Sequence, residues 1–171
     1  MKIIEALKKI KQLKIKCSDL NEKVRTYCAD LDNETPYYPD QRAQIREWVQ
    51  SYNDSTKEIV RLNYCLQRTN LETMVTIELE SKNVTKSIFE WILRRKEYAK
   101  MDENIWRSLT DKGLREENKY QTTQNAPVLV VKRRLYFDPV ERDKKVELYR
   151  TEPSKIDSTL EIINAITDLK E

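Results

Sequence analysis

Histidine is missing from the 171 residues, and glycine occurs once, at Gly113. Without histidine the chain lacks the commonest general base, the commonest metal ligand and the usual switch near neutral pH. With a single glycine it cannot build a nucleotide-binding fold that depends on glycine turns, and it has few positions for tight hairpin turns. The cysteines number three, Cys17, Cys28 and Cys65, with no Cys-x-x-Cys pair. They read as small core residues of a reducing compartment, not as a disulfide framework or zinc site. No apolar run approaches the length that spans a bilayer. The opening residues read as a charged helix and not as a secretory leader, which points to a cytoplasmic protein.

Charge, by contrast, is plentiful: 36% of residues are charged and 39% are apolar. This balance suits long helices with one apolar seam and a wide solvated surface. The formal net charge is only +3, which argues against a nucleic-acid binder. The basic residues are nevertheless clustered. Lys2, Lys8, Lys9, Lys11, Lys14 and Lys16 crowd the start, Arg94-Arg95-Lys96 forms a second knot, and Lys132-Arg133-Arg134 a third.

Periodicity predicts one mostly α domain with a small two-stranded ribbon. A helical hairpin over about 2–72 comes first, then strand–helix–strand over about 74–137, then helices over about 139–170. The stretch from Asp40 to about Thr73 sets the plan, with Ile45, Trp48, Tyr52, Ser55, Ile59, Leu62, Leu66, Thr69 and Thr73 spaced as a coiled-coil seam. A first helix, from 2 to about 32, offers Ile3, Leu7, Ile10, Leu13, Cys17, Leu20, Val24, Tyr27 and Leu31 as its partner seam. The three-three steps around Ile10 imply a local stammer. The proline-bounded connector 33–39 is short, so the two helices should lie antiparallel.

Beyond Asn70 the alternation through Val75, Ile77 and Leu79 predicts a strand over about 74–80. Asn83 or Thr85 then caps a helix reaching about Lys112, with Ile88, Trp91, Ile92, Tyr98, Met101, Ile105 and Leu109 facing inward and Gly113 stopping it in the left-handed region. Residues 115–126 read as a polar loop, and Pro127–Phe137 as the second strand, pairing with 74–80. Asp138-Pro139-Val140-Glu141 is a helix start, Glu152-Pro153 an interruption, and 154–169 a last helix on Ile156, Leu160, Ile163 and Ile166.

No phosphate-cradling GxxxxGK[ST], HExxH, GxSxG or Cys–His pair is present, and di-metal bundles need a Glu-x-x-His that the chain cannot supply. The expectation is a protein that is not an enzyme and needs no metal or cofactor. The residues with the most chemistry to offer are Asn63, Arg68, Asn70 and Thr73, with Arg94, Arg95, Tyr98, Trp106 and Arg107 from the third helix. Arginine forks and aromatic faces suit a phosphate-bearing ligand such as a nucleotide. The plainer reading makes Thr69 and Thr73 the end of a seam, Asn70 its cap, and the arginines solvated or paired with glutamates.

The Glu5-Ala6-Leu7 opening, the Leu62-Asn63 and Arg68-Thr69-Asn70 run followed by Thr73, and the closing Ile156-Asp157, Leu160 and Asn164 resemble the septicolysin-like family of small bacterial or phage proteins. The resemblance implies a helical fold with elements in this order over most of the chain. It does not extend to cytolysis, because the sequence has neither an amphipathic strand set nor an apolar hairpin for a pore. Long seams framed by charge point first to a homo-oligomeric interaction protein whose partner is itself. The alternative is a small-ligand binder that sequesters a nucleotide or nucleotide-derived signal at a subunit interface.

Overall fold

The computed structural model describes residues 1–113 and 134–170. Its elements are α1 (Ile3–Tyr27), α2 (Gln41–Glu72), β1 (Met74–Leu79), β2 (Lys82–Ser87), α3 (Ile88–Leu93), a π-helical turn (Arg94–Tyr98), α4 (Ala99–Arg107) and α5 (Pro139–Ile166). The fold is thus mostly α with a two-stranded antiparallel ribbon, as periodicity predicted. The chain divides into two compact units. The first comprises residues 1–75, 85–89 and 159 onward; the second comprises 76–84 and 90–158.

In the first unit α1 and α2 form the expected antiparallel hairpin. Lys9 reaches Glu58 at one end, while the Gln41 side chain donates to the Tyr27 carbonyl at the other. Asp40 caps α2 by accepting from the Ala43 N–H at 2.8 Å. The seams are more regular than the larger apolar residues suggest. On α1 the inward residues are Ile3, Ala6, Ile10, Leu13, Cys17, Leu20, Val24 and Tyr27, an unbroken alternation of three and four. Ala6 is fully buried whereas Leu7 is 42% exposed, so the expected stammer does not exist. The helix also stops at Tyr27, which leaves Leu31 outside it and exposed. On α2 the inward line is Gln41, Gln44, Trp48, Ser51, Ser55, Glu58, Leu62, Cys65 and Thr69. Tyr52 is exposed and Ser51 takes its place. Small residues hold these positions because two helices at close approach leave little room between them.

The open end of the hairpin is closed by rings. Tyr27, Tyr38 and Trp48 lie at centroid separations of 5.4–5.8 Å, and Tyr37 stacks on the outside at 5.1 Å. Such contacts add to the burial of the rings themselves. At the other end the Ile3 N–H donates to the Thr167 carbonyl and the Leu169 N–H to the Met1 carbonyl. The Lys170 N–H donates to the Thr69 hydroxyl. The last residues are therefore a tethered extended strap and not helix, and the final helix ends at Ile166 instead of 169.

Three predicted features are corrected around the ribbon and its following helix. First, the partner of β1 is β2, in the stretch that had been assigned to the start of the third helix. The turn between them places Glu80 and Ser81 at φ 49° and 60°, the twist a two-residue hairpin requires, without any glycine. The strand expected over 127–137 falls mainly outside the described residues, and its tail at Arg134–Phe137 is not strand. Second, the helix after β2 begins at Ile88 and ends at Arg107, not Lys112, and Gly113 does not adopt a positive φ. Third, a π-turn at Arg94–Tyr98, closed by the Ala99 N–H on the Arg94 carbonyl, absorbs one extra residue. It shifts the inward face from Tyr98, Met101 and Ile105, which are exposed, to Ala99, Asp102, Glu103 and Trp106.

The helix predicted to break at Glu152-Pro153 runs through it. α5 is continuous, capped by Asp138 on the Val140 N–H at 2.9 Å as the sequence suggested. Pro153 forfeits one backbone hydrogen bond, and Ile156 and Leu160, both buried, anchor the helix beyond it. Ile166 is exposed.

Candidate functional site

The nine residues singled out from the sequence divide between the two units. In the first, Asn63 donates its amide to the Ile59 carbonyl at 2.8 Å. Arg68 donates Nε to Glu72 at 3.0 Å, and this bond raises the arginine's pKa and lowers that of Glu72. Asn70 is buried inside α2 and does not cap it; Thr73 is the capping residue, its N–H bonded to the Thr69 carbonyl. Asn63 thus bonds within α2, and the other three lie in or just past its last turn.

The second unit holds the charged chemistry. Arg94 sits at the start of the π-turn with a side chain only 17% exposed. It grips Glu152 with a two-pronged bond, Nε to Oε1 at 2.7 Å and Nη2 to Oε2 at 2.8 Å, and reaches Asp102 with Nη1. Its guanidinium also lies 5.3 Å from the centroid of Tyr149. The Glu152 side chain is 3% exposed. The hydrogen bond that Arg94 donates to Glu152 drives the Arg94 pKa upward despite burial, so the arginine is a fixed positive strut. Buried and fully engaged, it is a positioning group rather than one free to meet a ligand.

Beside this strut runs an open groove of about 520 Å³, lined by Arg95, Lys96, Lys100, Glu103, Arg107, Tyr149, Arg150 and Pro153. Five cations thus face one carboxylate. The π-turn helps assemble them. In a regular α-helix residues 95 and 100 would point about 140° apart, and absorbing one residue brings them within roughly 40°. Within the groove the charges are unequally committed. Lys100 donates to Glu103 at 3.2 Å, and Arg107 also bonds it. Lys100's bond holds the Glu103 carboxyl below the usual carboxylate range against the opposing effect of burial, with the charge of Arg107 adding to it. Arg95 pairs with Asp157. Lys96 has no ion-pair partner among the described residues, and Arg150 meets Glu147 only at 3.9 Å.

Of the predicted site residues, Arg95 and Arg107 therefore line one groove and Arg94 braces it, while exposed Tyr98 and half-buried Trp106 are not part of its lining. Lys96, Lys100, Glu103, Tyr149 and Arg150 were missed. A signal for four of the lining residues was present, because Lys96, Lys100, Glu103 and Arg107 follow the four-three-four spacing of one helical face. Tyr149 and Arg150 had no such signal, since the helix carrying them was expected to end there.

A second groove, of about 450 Å³, lies along the α1–α2 hairpin between Leu13, Lys16, Glu47, Gln50, Ser51, Asp54, Ser55 and Glu58. Its charges are mixed, and Glu58 among them pairs with Lys9 at 2.7 Å as an interhelical clasp. Among the described residues no group of three or more His, Cys, Asp or Glu is arranged to hold a metal ion. No helix among them is long and apolar enough to cross a membrane.

No family model and no curated protein matches the chain. Its fold is similar to the crystal structure of a functionally unknown conserved protein from Corynebacterium diphtheriae, at 18% identity and a TM-score of 0.57 over 99% of both chains.

Proposed function

We propose that the protein is a non-enzymatic binder of a small phosphate-bearing ligand, held in the basic groove beside the π-turn. The observation that carries this reading is the set of five cationic side chains converging on one concavity with a single carboxylate among them. The volume falls in the range of small-molecule sites, and arginine and lysine donors match phosphate oxygens. The ligand sits within one chain in this reading, and no second subunit is needed to complete the groove. Three free thiols, Cys17, Cys28 and Cys65, fit action in the reducing cytoplasm.

Calorimetric titration of inorganic phosphate and of a sugar phosphate, at low ionic strength, tests it. Binding should weaken about tenfold or more in Lys96→Ala and in Arg150→Ala, the loss expected for one charge-assisted contact. Arg68→Ala, in the other unit, should leave it unchanged. Affinity indifferent to both groove variants, or no binding at millimolar ligand, overturns the proposal.

Self-association is a second reading, favoured by a separate observation. On the face of α2 turned away from α1, Val49, Val60, Tyr64 and Leu71 follow a helical stripe and are 43–68% exposed. An interaction protein that pairs with itself would cover such a stripe. Native mass spectrometry should then show a whole-number multiple of the chain mass; a monomer at tens of micromolar would remove this reading.

A further inference from the structure

Glu103 is buried yet lines a groove that is otherwise basic. Lys100 and Arg107 both donate to its carboxylate, and the charge of Arg150 also acts on it, so these cations are partly neutralised. Lys96 has no ion-pair partner among the described residues. A phosphate gains most at such an uncommitted cation. What the carboxylate offers is acceptor capacity. An ionised carboxylate has about four lone-pair positions, and two donors leave the others open. The groups that fit there are hydroxyl or amino donors on the organic part of a ligand.

On the reading that this groove binds phosphate, we propose that Glu103 makes it selective for phosphate monoesters bearing hydroxyl donors, the sugar-phosphate class, over inorganic phosphate. The spacing agrees. Lys96 and Glu103 are seven residues apart, about 10 Å along the helix, so one ligand presents phosphate and hydroxyl donors over a span of that order. The direction of the Glu103 pKa agrees as well, since a carboxyl held ionised accepts and does not donate. Tyr149, whose ring is steadied by Arg94, supplies a flat wall for the ligand's carbon skeleton.

The test compares ribose 5-phosphate, 2-deoxyribose 5-phosphate and inorganic phosphate by titration against the unmodified protein and Glu103→Gln. The unmodified protein should bind ribose 5-phosphate about tenfold more tightly than inorganic phosphate, with the deoxy sugar between them, the gain of one or two charge-assisted hydrogen bonds. Glu103→Gln should weaken ribose 5-phosphate and leave inorganic phosphate equal or tighter, because Lys100 and Arg107 are released. The three-ligand comparison on the unmodified protein stands even if that variant folds poorly. Equal affinity for ribose 5-phosphate and inorganic phosphate, or a parallel gain for both in Glu103→Gln, overturns the selectivity while leaving phosphate binding intact. Failure of all three ligands to bind removes both.

Discussion

The two units are held together by different kinds of interaction. The α1–α2 hairpin rests on a repeating apolar seam closed at one end by aromatic rings, and its ion pairs, such as Arg25–Glu22, sit largely on the outside. Among the described residues, the second unit rests on fewer buried apolar side chains and on charges that are taken out of water: Glu152 and Glu103 are buried, and Arg94 is nearly so. A seam distributes stability over many similar contacts. A buried charge concentrates it in one bond whose loss leaves the partner stranded. On the proposed reading the same contrast separates structure from function, because a unit that must keep many cations close together needs internal counter-ions to do so. Arg94, Glu152 and Glu103 hold that role next to the groove.

The sharpest way to break the comparison is at Glu152. Among the described residues Glu152→Ala leaves Arg94 with Asp102 as its one carboxylate partner, whose side chain is 42% exposed. The expected loss is about 3–5 kcal/mol in urea unfolding, the range for removing one partner of a buried pair. A loss below about 1 kcal/mol would place Arg94–Glu152 with ordinary surface pairs.

In the seam, Leu62→Ala should cost about 2–5 kcal/mol, since Leu62 is fully buried. Leu7→Ala should change stability by less than about 0.5 kcal/mol, whereas Ala6→Leu should destabilise by about 1–3 kcal/mol through overpacking. The opposite ranking of Leu7 and Ala6 would restore the stammered register.

A smaller effect is expected at the hairpin turn. Ser81 holds a positive φ that costs an L-residue about 1–2 kcal/mol, so Ser81→Gly should stabilise by up to about 1 kcal/mol after glycine's own entropic cost. Glu80 is the poorer choice because its carboxylate accepts from Lys145 at 3.0 Å. No gain in melting temperature would count against the strained turn.

The subtlest expectation concerns acid. Arg61, and after it Lys9, lower the Glu58 pKa from 4.5 to about 2. A depressed carboxyl contributes stability above its unfolded pKa and loses it as pH falls through the folded one, so the window is pH 4.5 to about 2. Lys9→Met should flatten the fall of melting temperature in that window and leave the value at pH 7 little changed. An identical acid slope in the variant would show that the clasp contributes nothing.

Much of the fold was legible because seams and caps are local patterns. Trp48, Ser55, Leu62 and Thr69 were placed inward correctly, and Asp40 and Asp138 both cap the helices they precede. The misreadings in the two seams share a cause, which is that large residues were expected inside. Leu7 and Tyr52 are large and exposed, while Ala6 and Ser51 are small and turned inward, as a close helix pair demands. The π-turn left no trace in the period before it, so Tyr98, Met101 and Ile105 were predicted inward, each one position before Ala99, Asp102 and Trp106. The ribbon's turn was illegible for want of glycine, since Glu80 and Ser81 carry no sign that they accept a positive φ. At the groove, Arg94, Arg95 and Arg107 were legible as chemistry, but their division into a brace and a lining depends on Glu152, a residue 58 positions away from Arg94.

The central claim is that a phosphate ester seats in the groove of the second unit. It is tested most directly by titrating ribose 5-phosphate into isotopically labelled protein and following backbone amide signals. The account predicts shifts confined to residues 95–107 and 149–153, saturating with ligand. Shifts centred on α1 and its lysines, or none at all at millimolar ligand, would contradict it.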